Sequence, residues 1–195
     1  LVATGGYGRG EQFPSSDIDI LILLAREPSP AERERLERLV GMFWDIGLDV
    51  GHSVRTVRGC VETAAADITI QTTLLEARYL AGSRALLHQL TAAVGRALDA
   101  PAFLKAKVLE QEQRHAKHQD AAYALEPSLK ESPGGLRDLR TIQWIARACG
   151  LGWRWGQLQR SGLLLRAEAA QLARHEALLH DLRIRLHFLA GRRED

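Results

Sequence analysis

The sequence predicts a mixed α/β domain over residues 1–98 and an all-α domain over residues 99–195. Two apolar runs, residues 1–4 and 18–24, flank a glycine-rich segment and are typical of buried strands. Beyond Asp99, apolar residues recur at three- and four-residue spacing, which indicates helices. A chain of 195 residues can hold one substantial core or two modest ones.

A helix is predicted between the second strand and the next one. Ser29, Pro30 and Glu32 match a capping box with proline at the first helical position. Apolar residues then recur at helical spacing, and Gly47 is expected to end the helix. Residues 48–56 alternate between apolar and polar side chains and predict a strand.

The rest of the chain is predicted to be mostly helical. Asp99 is expected to cap a helix that has proline near its start. The further predicted helices cover residues 67–82, 85–98, 136–149 and 166–191. The tryptophans of the turn at 150–156 are expected to pack rather than to stack on bases.

Asp17 and Asp19 are two residues apart on a predicted strand, so both carboxylates leave the same face. A divalent cation relieves the repulsion between them, and Mg²⁺ favours one or two carboxylates together with substrate phosphates. Alone, such a pair is commonly a solvated or capping pair. The glycine-rich segment directly before it favours a nucleotidyl-transfer site.

That segment is predicted to form a turn that holds a polyphosphate. Gly5 and Gly6 lack side chains, so phosphates could approach their backbone N–H groups. Arg9 adds a positive charge and Ser16 a hydroxyl group. The glycine spacing excludes a dinucleotide-binding fingerprint, since position 11 is glutamate, and no P-loop motif is present.

Asp49 is the predicted third carboxylate, because two-metal phosphoryl chemistry usually needs one more ligand. It lies on the polar face of the strand at 48–56, beside the small residue Gly51. Asp45, at a helix end, and Asp67, before a helical stretch, are the rival candidates. His52 is on the apolar face of that strand and is expected to pack.

A second glycine pair lies between predicted helices. Pro133, Gly134 and Gly135 set a turn, and Lys130 and Arg137 are placed to reach phosphates. The alternative is a simple connector between helices. His115 and His118 are three residues apart, but without a third ligand they indicate a solvated helix face rather than a zinc site.

Composition excludes several classes of protein. The net charge of +2 is too small to indicate bulk nucleic-acid binding. No run of 18 apolar residues predicts a membrane span. Two cysteines are too few for a disulfide framework, which is consistent with a cytoplasmic location.

Four separated segments carry a resemblance to a known family: Gly5–Glu11, Ser16–Asp19, Asp49–Thr56 and Pro133–Asp138. Together they resemble the polymerase-beta-type nucleotidyltransferase superfamily and, within it, the protein-PII uridylyltransferase/uridylyl-removing family. The resemblance implies a polymerase-beta-like core with a mixed sheet, followed by a helical domain that covers the nucleotide cleft.

The resemblance also implies an activity: transfer of UMP from UTP to a tyrosine of a PII nitrogen-signalling protein, with release of pyrophosphate. It implies catalytic and metal-binding roles for Asp17, Asp19 and Asp49, with Mg²⁺ or alternatively Mn²⁺. On this resemblance, Glu126 and Asp138 are candidate contacts to the ribose, the base or the metal. Neither a membrane nor a nucleic-acid partner is expected.

This sequence departs from the family pattern at Ala124 and Ser128, where asparagines are usual. The family's HD-type hydrolase and ACT domains do not fit into 195 residues, so uridylyl removal and glutamine sensing are not expected of this chain. Three alternatives remain open. They are an adenylyltransferase of the glutamine-synthetase-modifying type, a catalytically silent nucleotide-sensing module and a nucleic-acid-modifying nucleotidyltransferase.

Overall fold

A computed structural model describes residues 1–118 and 127–195, which form two compact units. The first unit comprises Leu1–Gln12 and Ser16–Ala97, and the second comprises Phe13–Ser15 and Leu98–Asp195. Each described unit has a hydrophobic core of its own.

The first unit combines a mixed sheet with helices. Its elements are β1 (Val2–Ala3), α1 (Gly5–Arg9), β2 (Ile18–Leu24), α2 (Pro30–Asp45), β3 (Val50–Thr56), α3 (Val57–Ala66), α4 (Ile68–Leu75), β4 (Arg78–Tyr79) and α5 (Arg84–Ala97). The sheet order is β3-β2-β1-β4. Strand β1 is antiparallel to β2 and β4, whereas β2 is parallel to β3. A mixed sheet followed by helices confirms the predicted fold class.

The core of the first unit lies where helices α3, α4 and α5 pack around the apolar side chains of β1 and β2. Its buried members are Val2, Leu21, Cys60, Ala64, Leu74, Leu87, Leu90 and Val94. Burial raises the pKa of the Cys60 thiol to about 11. Cys60 therefore acts as a small apolar core residue rather than as a nucleophile.

Helix α2 begins as the sequence predicts. The Ser29 backbone N–H donates to Glu32 Oε2 at 2.8 Å, and Glu32 N donates to Ser29 Oγ at 3.4 Å. This reciprocal capping box satisfies two N–H groups that the first turn leaves without helical partners. Gly47, with a φ of +82°, follows the end of the helix.

The helix predicted over residues 67–82 is only half correct. Helix α4 ends at Leu75, and Arg78 and Tyr79 form β4 on the edge of the sheet. The Arg78 guanidinium donates to the backbone carbonyls of Tyr7 at 2.5 Å and Gly8 at 3.1 Å. These bonds to residues 70 positions away compete with local helix propensity and end α4 early.

Residues 5–9 form the short helix α1 rather than the predicted open turn. Gly8 is buried against the backbone, and its N–H donates to the Thr4 carbonyl at 2.7 Å. Gly10, with a φ of +80°, ends the helix in the left-handed conformation. The glycines thus permit close packing of a helix as well as a turn.

The second unit is helical in its described residues. Its elements are α6 (Ala100–Lys117), α7 (Leu136–Ala148), α8 (Trp155–Arg160) and α9 (Arg166–Ala190). Asp99 caps α6, as predicted, by accepting from Ala102 N at 3.0 Å. Trp155 is buried and donates to Glu176 at 2.7 Å, which confirms its packing role. Within the described residues, every helix is too short or too polar to cross a bilayer.

Gly8→Ala should destabilise the first unit by about 1–3 kcal/mol. A Cβ atom at this position would lie 2.3 Å from the Glu76 carbonyl oxygen and 3.0 Å from that of Ala3. Both obstacles are backbone atoms, so α1 would have to shift. Denaturant unfolding followed by circular dichroism measures the change in the free energy of unfolding.

Gly41→Ala is the matched control, because beyond its own helix turn and chain neighbours no atom lies within 4 Å of the added Cβ, and the residue is inside α2. It should stabilise the protein by about 0.5–1 kcal/mol through helix propensity. Equal effects of the two substitutions would contradict the close packing of α1.

Candidate functional site

The register between β2 and β3 brings the three predicted carboxylates to one end of a strand pair. Ile18 pairs with Val50 and Asp19 with Gly51, and Ile18 N donates to the Asp49 carbonyl at 2.8 Å. Asp17 and Asp49 are therefore neighbours across the two strands. Side chains two residues apart share a face, so Asp19 projects from the same face as both.

Two glycines make room for the Asp19 carboxylate. A Cβ atom on Gly5 would lie 2.6 Å from Asp19 Oδ2, and one on Gly51 would lie 2.7 Å from Asp19 Oδ1. The Gly5 φ of +55° further favours glycine there. The sequence indicated Gly5 as a phosphate contact and Gly51 only as a small neighbour. The sequence could not show that both glycines enclose the Asp19 carboxylate, because that enclosure depends on tertiary contacts.

The three carboxylates share a face without forming a tight cluster. In the part of the chain that the structure describes, their oxygens do not all lie within 4.8 Å of one another. Asp17 and Asp19 are half-buried, whereas Asp49 is exposed. Mutual repulsion between like charges favours this separation. A donor set made only of carboxylate oxygens beside small residues fits a hard cation such as Mg²⁺.

Arg9 lies in a polar cluster that anchors α1. Its Nη1 donates to Glu76 Oε1 at 2.5 Å, and its Nε donates to Glu11 Oε2 at 2.8 Å. Burial opposes the charged form, but the two carboxylates outweigh it and raise the pKa of Arg9. The guanidinium therefore holds the Gly5–Arg9 helix in place. The phosphate contact expected of Arg9 stays a prediction.

Ser16 and Gly6 each accept a hydrogen bond at the backbone carbonyl. Gln12 Nε2 donates to the Ser16 carbonyl at 2.9 Å, which fixes the residue directly before Asp17. The Gly6 carbonyl accepts from Glu11 N at 2.9 Å. Phosphate binding by Ser16 and Gly6 stays a prediction.

Asp45 and Asp67, the alternative candidates for the third carboxylate, both have structural positions instead. Asp67 caps α4 by accepting from Thr69 N at 2.7 Å, and Asp45 is the last residue of α2. His52 packs edge-on against Trp44, with ring centroids 5.6 Å apart. His52 therefore makes the predicted packing contact, although its side chain is exposed rather than buried.

The second glycine pair lies in the second unit, in a loop that closes onto the start of α7. Leu136 N donates to the Leu129 carbonyl at 3.0 Å, and Arg137 N donates to the Lys130 carbonyl at 2.9 Å. A Cβ atom on Gly135 would lie 2.7 Å from the Leu129 oxygen. Gly134 has a φ of +80°. The loop is therefore a compact, ordered structure and not a loose connector.

Asp138 ties this loop to α6. Its carboxylate accepts from Gly134 N at 2.7 Å, from Gln111 Nε2 at 2.9 Å, and from the Arg114 guanidinium. His115 Nε2 lies 2.9 Å from both carboxylate oxygens. Burial raises the pKa of Asp138, but these hydrogen bonds outweigh it and lower the pKa below its usual range.

The structure corrects the interpretation of His115 as part of a solvated helix face. Gln111, Arg114 and His115 recur at the three- and four-residue spacing that places side chains on one face of a helix. That spacing was the available signal, but the sequence could not show that Asp138 lies opposite. Glu126, the other candidate contact, is outside the described residues.

Lys130 and Arg137 are both half-buried in a network of charges. Lys130 Nζ lies 3.3 Å from Asp195 Oδ2 and 3.8 Å from Glu131 Oε1. Arg137 Nη2 lies 3.0 Å from Glu131 Oε1. Burial lowers the pKa of Lys130, although Asp195 opposes the shift. Phosphate binding by these two residues and by Gly134 and Gly135 stays a prediction.

Comparison with known proteins connects both units to one type of enzyme. Residues 1–63 match the family model described as a nucleotidyltransferase domain, and residues 102–195 match that of GlnD PII-uridylyltransferase. Over all 195 residues, the chain is 58% identical to the bifunctional uridylyltransferase/uridylyl-removing enzyme of Burkholderia lata. It is 57% identical to the enzyme of the same name from Cupriavidus pinatubonensis.

The chain covers 23% of the Burkholderia lata protein and 22% of the Cupriavidus pinatubonensis protein. The similarity spans the residues of both units, including the Asp17, Asp19 and Asp49 segments and the loop at Gly134 and Gly135. Over its whole length the chain is therefore similar to bifunctional uridylyltransferase/uridylyl-removing enzymes, and it spans less than a quarter of their length.

Proposed function

We propose that this chain transfers UMP from UTP to a tyrosine of a PII-type signalling protein, with release of pyrophosphate. The observation that carries the proposal is the parallel register of β2 and β3, which puts Asp17, Asp19 and Asp49 on one face. The similarity to uridylyltransferases over the whole chain supports the choice of nucleotide and acceptor.

Asp17, Asp19 and Asp49 would hold Mg²⁺, with Mn²⁺ as the alternative. When bound, the cation neutralises charge on the nucleotide phosphates and on the leaving pyrophosphate. The Asp19 carboxylate is positioned before substrate arrives, because it is enclosed by Gly5 and Gly51. Preorganised charge of this kind lowers the cost of reaching the transition state.

The residues around the carboxylates would orient the triphosphate. Gly5 and Gly6 offer backbone N–H groups, and Ser16 offers a hydroxyl group directly before Asp17. Arg9 contributes by fixing α1 through Glu76 and by adding positive charge at the same end of β2.

Asp49 is the proposed proton acceptor for the attacking hydroxyl group. It is the most exposed of the three carboxylates, so an incoming acceptor residue can reach it from solvent. In the second unit, Lys130 and Arg137 would bind phosphate oxygens. Their loop is braced by Asp138, which contacts the Gly134 N–H directly.

Isothermal calorimetry with UTP and with ATP, each with and without Mg²⁺, tests the nucleotide preference. We expect Mg²⁺-dependent binding that favours UTP, followed by UMP transfer to a PII protein. A preference for ATP would instead support a protein adenylyltransferase. Binding of UTP without transfer would support a nucleotide-sensing module, and binding of neither nucleotide would contradict the proposal.

Asp17→Asn and Asp19→Asn should each lower the rate of UMP transfer by at least about 100-fold, since an amide removes the negative charge that neutralises the cation. The side chains keep their size, so the fold should remain. Radiolabelled UMP transfer measures the rate, and circular dichroism checks the fold.

Asp67→Asn is the control for these variants. Asp67 belongs to the same unit and caps α4, and asparagine is an equally good N-cap. Its transfer rate should stay within about twofold of the original. Normal transfer by a folded Asp17→Asn/Asp19→Asn protein would exclude the proposed mechanism.

Lys130→Ala should raise the apparent KM for UTP by about tenfold, because one charge-assisted contact to phosphate is lost. The exposed Lys105→Ala on α6 serves as the control and should leave KM unchanged. Steady-state kinetics over a range of UTP concentrations measures both. An unchanged KM in Lys130→Ala would assign the residue a structural role only.

A further inference from the structure

A cavity of about 650 Å³ lies in the second unit, at the turn between α7 and α8. Three arginines and one tryptophan line it: Arg147, Trp153, Arg154 and Arg160. We call it the arginine cavity. None of these residues takes part in the candidate site described above.

The segment around the arginine cavity has an unusual charge pattern. Residues 139–167 contain five arginines but no lysine, aspartate or glutamate. Arg140 is bound by Glu176 at 2.5 Å, so its charge is balanced. Arg154 and Arg160, in contrast, form no ion pair with any carboxylate of the described residues. Guanidinium groups that share one cavity repel each other, and an anion between them relieves that repulsion.

The turn that carries Arg154 is fixed from several directions. Gln157 Oε1 accepts from Trp153 N at 3.1 Å and from Arg154 N at 3.0 Å. A Cβ atom on Gly152 would lie 2.8 Å from Gln157 Cβ, and the Gly152 φ is +91°. Directly after Arg154, the buried Trp155 anchors the start of α8.

Arg147 is also held in place. Its guanidinium lies over the Trp153 ring, 4.9 Å from the ring centroid. Such a cation–π contact orients the planar group and restricts its rotamers. The backbone that carries Arg154 and the Arg147 side chain are therefore held in place before a ligand binds, which reduces the entropy cost of binding.

We propose that the arginine cavity binds a small polyphosphate, either free or as the phosphate chain of a nucleotide. Arginine forms paired hydrogen bonds with phosphate oxygens, and the guanidinium groups of Arg154 and Arg160 match a ligand that carries at least two negative charges. A single carboxylate would balance one of these two charges. The site shares no residue with the Asp17, Asp19 and Asp49 set and does not depend on the proposed transfer activity.

Calorimetric titration of the 195-residue chain with inorganic tripolyphosphate, in low-salt buffer containing EDTA, tests the proposal. We expect one-to-one binding that weakens as salt is added. Arg154→Gln/Arg160→Gln should lower the affinity at least about tenfold, because two charge-assisted contacts are lost. Arg185→Gln is the control, since Arg185 is exposed on α9 and paired with Asp181, and it should change the affinity less than twofold.

Absence of tripolyphosphate binding, or equal losses in the double variant and the control, would overturn the proposal. Binding that survives in Asp17→Asn/Asp19→Asn separates this cavity from the candidate transfer site. The same titration with UTP and ATP identifies the source of the phosphates. Tighter binding of a nucleotide that Trp153→Leu abolishes indicates a nucleotide, whereas equal affinities indicate the free phosphate chain.

Discussion

The parallel pairing of β2 with β3 is the constraint on which the candidate site depends. It sets Asp17 beside Asp49 and Asp19 beside Gly51, although about thirty residues separate the two strands in the chain. A shift of one residue would turn every side chain of one strand to the opposite face. Leu21 of β2 opposes such a shift, because it would turn away from the core side chains of α3 and α5 against which it packs. Core packing thus fixes the positions of the carboxylates.

Two charged clusters brace the glycine segments, one in each unit. Arg9 joins α1 to Glu76 and Glu11, and Asp138 joins the Gly134 loop to α6. In both cases a buried or half-buried charge is satisfied by several partners, which offsets the cost of removing it from water. Glycine is needed beside each cluster, because backbone oxygens or a carboxylate occupy the space of a Cβ atom at Gly8, Gly135 and Gly5. The glycines therefore serve close packing as much as ligand access.

Local signals predicted the elements whose stability is local. Ser29, Pro30 and Glu32 marked the start of α2, and Asp99 marked the start of α6, because capping involves residues three or four apart. Prediction of secondary structure failed where contacts with distant residues compete with local helix propensity. Arg78 bonds to the carbonyls of Tyr7 and Gly8, so β4 replaced the second half of a predicted helix. Likewise, His115 meets Asp138 across 23 residues, and helical spacing alone could not name that partner.

The sequence by itself determined the fold class, the Asp17 and Asp19 pair on one strand face, and the presence of a second glycine loop. These follow from periodicity and spacing, which are properties of neighbouring residues. Only the tertiary structure decided the register that brings Asp49 to Asp17, the enclosure of Asp19 by Gly5 and Gly51, and the pairing of Arg9 with Glu76. Each of these depends on which distant segments pack together, and burial of the whole core selects that arrangement.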